Sequence, residues 1–152
     1  MNIKLIVLTM AFGLAMVAVN TSHAFGASPA VFAQQSQSIW DGIYTREQAD
    51  RGSLLYAQSC AACHSQDLMG GEIAPPLTGG QFVSNWDTLS VGELFERVRV
   101  SMPANDPGSL SRQKYADILA FVFSKNDFPA GTTELSNKTE WLNQIKVEAS
   151  KK

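Results

Sequence analysis

The chain has 152 residues, enough for one domain with a modest core and too few for two ordinary ones. Its residues are 45% hydrophobic and 17% charged, which excludes a disordered chain poor in apolar side chains and rich in charge. Twelve Lys and Arg against fourteen Asp and Glu give a net charge of -2, so the basic excess that a nucleic-acid backbone requires is missing and no nucleic-acid partner is expected.

Lys4 is the only charge before a nearly unbroken apolar run from Leu5 to Val19, and Ser22-His23-Ala24 follows with small residues at both recognition positions. Residues 1–24 therefore read as a secretory signal peptide, which implies export to the periplasm as a soluble protein. The run of about fifteen residues falls short of the roughly twenty that span a bilayer, so no stable membrane insertion is expected after cleavage. An uncleaved anchor is the alternative. A second site, Val31-Phe32-Ala33, would move the mature start from Phe25 to Gln34. Cleavage after Ala24 leaves one histidine, His64, and two methionines, Met69 and Met102.

Residues 25–39, mostly Ala, Ser and Gln, read as a flexible arm without assigned function. Thr45 and Gln48 form a capping-box pattern ahead of a helix from about Arg46 to Gln58, with Ala49, Gly52 and Tyr56 on one face. From Ser65 to Asn85 four glycines and the pair Pro75-Pro76 leave no clear period, which predicts an extended, ordered loop. Ser90 and Glu93 form a second capping box, and Val91, Leu94, Phe95 and Val98 share a helical face that ends before Pro103. Ser111 caps a third helix, with Leu110 and Tyr115 as a hydrophobic staple, Tyr115, Ile118, Leu119 and Val122 on its inner face, and an end near Lys125. Residues 130–152 are expected to form a tail that packs back through Trp141, Leu142 and Ile145, in part as a short helix. The expected layout is a domain over residues 40–129, all-α, with three main helices, long loops and no sheet. So little secondary structure makes a poor core unless a bound cofactor fills its centre.

Cys60-Ala61-Ala62-Cys63-His64 follows the first helix directly. Two thiols at this spacing lie on one side of a turn, where they can add to the two vinyl groups of a haem while the adjoining imidazole reaches the iron. One covalently attached haem c is the expected cofactor. A Cys60–Cys63 disulfide suits an exported protein, but a thioredoxin-like redox site needs a βαβ context that is not apparent. A structural zinc site needs four ligands, one more than the Cys and His of the mature chain supply. Two merely buried thiols are the remaining alternative.

His64 can fill one axial position of an iron, and the absence of a second mature histidine excludes bis-histidine ligation. Met69, Met102, a lysine or no ligand remain for the other face. Met69 would have to pass around the haem edge on five residues, at most about 17 Å of extended chain, and core filling is the preferred reading for it. Met102 stands after a helix and before Pro103, where a loop could cross the opposite face, and is the preferred ligand.

These residues resemble those of class I c-type cytochromes. In that family a glycine and an aromatic residue stand eight and four positions before the first cysteine, as Gly52 and Tyr56 do here, and the resemblance implies contacts with Ile118 and Phe121 of a C-terminal helix. Pro75, Leu77 and Gly79 fit the family's Pro-x-Leu-x-Gly run, which implies that the Pro75 carbonyl receives the ring N–H of His64. The stretch from Met102 to Pro107, followed by a helix with Tyr115 and Phe121, is similar to the cytochrome domains associated with quinohaemoprotein, or pyrroloquinoline-quinone (PQQ), alcohol dehydrogenases. Asn85-Trp86 fits such domains and implies a place for Trp86 near the haem propionates, with core packing as the alternative. Arg97 and Arg99 are further propionate candidates, although such charges are more often solvated. The resemblance covers roughly Trp40 to Glu134 and implies a cytochrome c-like fold around one covalently bound haem.

A six-coordinate iron with two protein ligands has no free position for substrate and suits one-electron transfer. The expected role is that of an electron carrier rather than an enzyme, linking a donor such as a PQQ dehydrogenase to an acceptor such as a terminal oxidase. Two alternatives remain: a relay subunit held in a dehydrogenase complex, and a haem sensor or enzyme with a displaceable Met102.

Overall fold

The computed structural model describes residues 37–151, so the expected signal peptide, both cleavage sites and residues 25–36 lie outside the described residues. The fold is all-α around two long crossing helices, α1 (Arg46–Ser59) and α5 (Arg112–Lys125). Short α2 (Ala61–His64) follows α1, and α3 (Gly79–Trp86) and α4 (Val91–Ser101) precede α5.

Capping starts α1, α4 and α5 where the sequence places them. Thr45 Oγ1 accepts the Gln48 amide at 3.1 Å, Ser111 Oγ accepts that of Lys114 at 3.3 Å, and Ser90 with Glu93 closes both halves of its box. The Thr45 box is only half formed, because the Gln48 side chain is buried elsewhere. Its Nε2 donates to Asp117 and to the Leu135 carbonyl, each at 3.1 Å, and its Oε1 accepts the Leu135 amide at 2.6 Å.

α1 meets α5 at Gly52. A β-carbon there would stand 1.8 Å from the Asp117 carbonyl oxygen, so only glycine allows the approach. One turn on, the Tyr56 and Phe121 rings pack with centroids 5.3 Å apart. The closest approach to Gly52 is thus made by Asp117 and Phe121, while Ile118 is buried in the core.

Four expectations are corrected. The extended loop ends at Thr78, because Phe82, Val83 and Trp86 give residues 79–86 an apolar helical face behind the Gly79-Gly80 start. The flexible arm does not reach residue 39: Gln37–Ser38 (β1) pairs in parallel with Ile145–Lys146 (β2), and Ile39 is fully buried. The tail packs back through Leu142 and Ile145, together with Leu135 and Val147, but Trp141 is 54% exposed. The two-residue pair is also sheet where none was expected. It is a clasp between chain segments far apart in sequence, which no local alternation announces.

The tail docks through α6 (Thr139–Leu142) on α4, where Gly92 leaves room for Asn143. A polar cluster fixes it: Glu96 accepts from Thr139, from Arg99 at 2.7 Å and from Arg112 at 3.1 Å, while the Arg112 guanidinium lies 4.7 Å over the Phe95 ring. The Thr139 hydroxyl first, then the two guanidiniums, pull the Glu96 carboxyl from 4.5 down to about 2. No helix among the described residues is long and apolar enough to cross a membrane.

Gly52→Ala should cost about 3 kcal/mol or more by overpacking against backbone, seen as a lower urea midpoint at unchanged slope. Because the Glu96 pKa is depressed in the folded state, its contribution is full above 4.5 and is lost as pH falls through about 2. Glu96→Gln should therefore cost about 1 kcal/mol at neutral pH, given its partial exposure, and the difference should close in unfolding curves taken toward pH 2.

Candidate functional site

α1 ends by turning directly into the paired cysteines. The Cys60 amide still bonds the Tyr56 carbonyl at 2.8 Å, and the Cys60 carbonyl accepts the amides of Cys63 at 3.1 Å and His64 at 3.0 Å. One turn thus holds both thiols and the imidazole. Both cysteines are free, Cys60 half-buried and Cys63 exposed. Burial, with Cys63 as the lesser cause, raises the Cys60 thiol to about 11.

His64 is buried, and its Nδ1 stands 2.9 Å from the Pro75 carbonyl oxygen, to which only a protonated nitrogen can donate. Nδ1–H is therefore committed to Pro75, so that in the neutral ring the lone pair lies on Nε2. Among the described residues no fully covered side-chain nitrogen or oxygen lacks a partner, and Nε2 has none, so it reaches open space. The His64 carbonyl is held by the Gly70 amide at 3.0 Å and the Ser65 hydroxyl at 2.6 Å, and the Tyr56 hydroxyl donates to the Ser65 carbonyl at 2.8 Å. Burial raises Tyr56 to about 12, so it remains a donor across the physiological range.

The loop that delivers Pro75 is built from its own backbone. Gly70 takes φ +72°, where a β-carbon would also strike the Ala74 carbonyl at 2.6 Å, and the Leu77 amide bonds the Leu68 carbonyl at 2.8 Å. Asn126, the C-cap of α5, ties down the run after Pro75: its Nδ2 donates to the Leu77 carbonyl at 2.9 Å and its Oδ1 accepts the Gly79 amide at 3.0 Å. Leu77 is half-buried against the core, whereas the Pro75 ring is exposed.

Met102 caps the C-terminus of α4 and is half-buried. Its amide bonds the Val98 carbonyl at 2.8 Å, and its carbonyl accepts the Tyr115 hydroxyl at 2.6 Å and the Gly108 amide at 3.3 Å. Met69 does not fill the core as expected: it is 61% exposed, turned outward where its amide bonds Asp67 and the chain reverses at Gly70. With Ile73, Pro75 and Gln81 it lines an open cavity of about 530 Å³ that neither thiol nor His64 borders. Trp86 is half-buried at the end of α3, Arg97 is exposed, and Arg99 is engaged by Glu96.

Two free thiols and an imidazole with an unpartnered, accessible Nε2, on one turn, fit covalent haem attachment with iron ligation. Residues 47–122, half of the chain, match the family described as cytochrome c oxidase, cbb3-type, subunit III. The chain belongs to this family of c-type cytochrome domains. No curated protein and no solved structure matches it significantly. As a member it is an electron-transfer protein that binds haem c covalently.

Sequence reasoning missed three side chains that organise this cytochrome: the Tyr56 hydroxyl on the His64 turn, Asn126 on the Pro75 run, and Tyr115 on Met102. Tyr56 and Tyr115 read as apolar periodic positions, and pattern alone carries no signal for where a phenol hydroxyl ends. The double variant Cys60→Ala/Cys63→Ala should lose all covalent haem, read as loss of haem stain on denaturing gels; retained stain would place the attachment elsewhere.

Proposed function

We propose that this protein is a periplasmic mono-haem cytochrome that carries single electrons from a donor dehydrogenase to a respiratory acceptor. The observation that carries the reading is His64, with Nδ1 committed to Pro75 and Nε2 unpartnered, directly after the two free thiols. Cys60 and Cys63 would hold the haem through thioethers, and His64 Nε2 and the Met102 thioether would serve as ligands of its iron. When bound, the haem supplies an Fe(III)/Fe(II) couple that accepts one electron and returns it.

The chain's own residues set the conditions for that couple. The Pro75 carbonyl fixes the His64 tautomer and ring orientation and raises its basicity. A methionine joining the histidine in the ligand set would raise the reduction potential and fill the position that a substrate needs. Trp86, half-buried at the end of α3, is the candidate neighbour of the propionates. Export rests on the signal-peptide pattern of residues 1–24.

The donor class is a PQQ-dependent alcohol dehydrogenase, supported by the likeness of the stretch from Met102 to Pro107, and the acceptor class is a terminal oxidase. Brief docking through small interfaces suits a carrier. A relay subunit bound stably within an oxidoreductase complex is the second reading, favoured by the family's description as an oxidase subunit. Co-purification with a partner through size exclusion would select it.

Absorption spectra of the purified protein, oxidised and reduced, with and without carbon monoxide, test the closed site. A low-spin c-type spectrum indifferent to carbon monoxide is expected, and Met102→Ala should make it sensitive while haem stays attached. Sensitivity in the unmutated protein would move the function to sensing or catalysis, and an unchanged spectrum in Met102→Ala would remove Met102 as the ligand.

A further inference from the structure

We propose that Tyr115 is a positioning residue for the axial ligand: its hydroxyl, 2.6 Å from the Met102 carbonyl, holds the ligand loop and sets how readily Met102 is displaced from iron. The inference rests on the reading of Met102 as the ligand.

The hydroxyl is aimed by packing on two sides. Tyr115 lies in the first turn of α5 and is 1% exposed, and its ring meets Phe95 of α4 edge to face with centroids 6.5 Å apart. Donor and acceptor thus belong to two helices that already pack together, so little freedom is lost when the bond forms. Met102, by contrast, opens a loop whose residues 104–109 are all exposed. That loop has its own turns, with the Asp106 amide on the Pro103 carbonyl at 2.9 Å and the Ser109 amide on the Asp106 carbonyl at 3.3 Å, but none of residues 104–109 is buried.

Three bonds fix the Met102 backbone. The Val98 carbonyl holds its amide, the Gly108 amide reaches its carbonyl at 3.3 Å, and Tyr115 supplies the shortest of the three from outside the loop. Gly108 belongs to the loop itself and Val98 holds only the amide from α4, so Tyr115 is the contact that ties the Met102 carbonyl to α5. Removing the hydroxyl leaves the ring, its burial and its contact with Phe95 in place, and takes away only the tether.

The experiment measures imidazole affinity for the ferric holoprotein in four forms: unmutated, Tyr115→Phe, Met102→Ala, and both together. Tyr115→Phe should bind imidazole roughly three- to tenfold more tightly, the worth of one hydrogen bond, and should weaken the sulfur-to-iron charge-transfer absorption. In the Met102→Ala background the same change should have no effect, because no ligand is left to displace. If Met102→Ala binds imidazole no better than the unmutated protein, the ligand assignment itself fails. If it binds better while Tyr115→Phe matches the unmutated protein, the assignment stands and the positioning role is overturned. A Tyr115→Phe effect that persists without Met102 overturns it too, since the hydroxyl would then act on the site in general.

Discussion

The site depends on the close crossing of α1 and α5 at Gly52. α1 delivers the two thiols and the imidazole at its C-terminal end, while α5 carries Tyr115 near its start and Asn126 at its close. One crossing point therefore relates the cysteine turn to both flanking loops: the Pro75 run, held by Asn126, and the Met102 loop, held by Tyr115. The crossing is also where the fold accepts a buried carboxylate. Asp117 is almost fully covered, yet Arg51, Gln48 and Gln113 all donate to it. Such a group is tolerable only with its hydrogen-bonding capacity met, and those donors lie on the two helices being joined.

The residues outside the matched family region do a separate job. A small domain with three main helices has little apolar surface to bury, and the sequence raises the question of what completes its core. Much of the answer is the tail: Leu135, Leu142, Ile145 and Val147 are all buried, and the chain before α1 adds Ile39, Ile43 and Tyr44. The two segments close on each other through β1 and β2, and Trp40 links them again, donating to the Glu148 carbonyl and packing edge to face on Phe128. The tail also packs through α6 on α4, the helix that Met102 caps.

What was legible in the sequence follows the range of the interaction concerned. α1, α4 and α5 were readable because capping oxygens and apolar periodicity act within a few residues. The Cys60-x-x-Cys63-His64 run was readable because its chemistry is local as well. α3 was hidden because glycines open it and only three apolar positions mark its inner face. The β1–β2 pair and the burial of Ile39 beside it were hidden because Gln37 and Ser38 pair with Ile145 and Lys146, far along the chain, while Trp141 stands 54% exposed because Leu142 and Ile145 take the buried positions of the tail. Core filling for Met69 followed from its short path around a haem edge, whereas the reversal at Gly70 leaves the side chain 61% exposed. Polar side chains of the site were the least legible: a tyrosine at a periodic position is assigned to the core by its ring, while its function here resides in the oxygen.

The two sides of the proposed iron position are held by different means. On the His64 side, the ligand sits in a helical turn whose carbonyls are bonded by Cys63, Gly70, Ser65 and Tyr56 contacts, and the imidazole has a second anchor at Pro75. On the other side the proposed ligand, Met102, stands where α4 gives way to an exposed loop, with its backbone fixed at both the amide and the carbonyl and residues 104–109 exposed. Local stability is lower where exposed backbone bonds replace buried apolar contacts. With Met102 as the proposed ligand, exchange of a protein ligand would therefore fall on the methionine side. A bond that ties this loop to the core then has its value in keeping one ligand set through both oxidation states, which is what a carrier of single electrons requires of its protein.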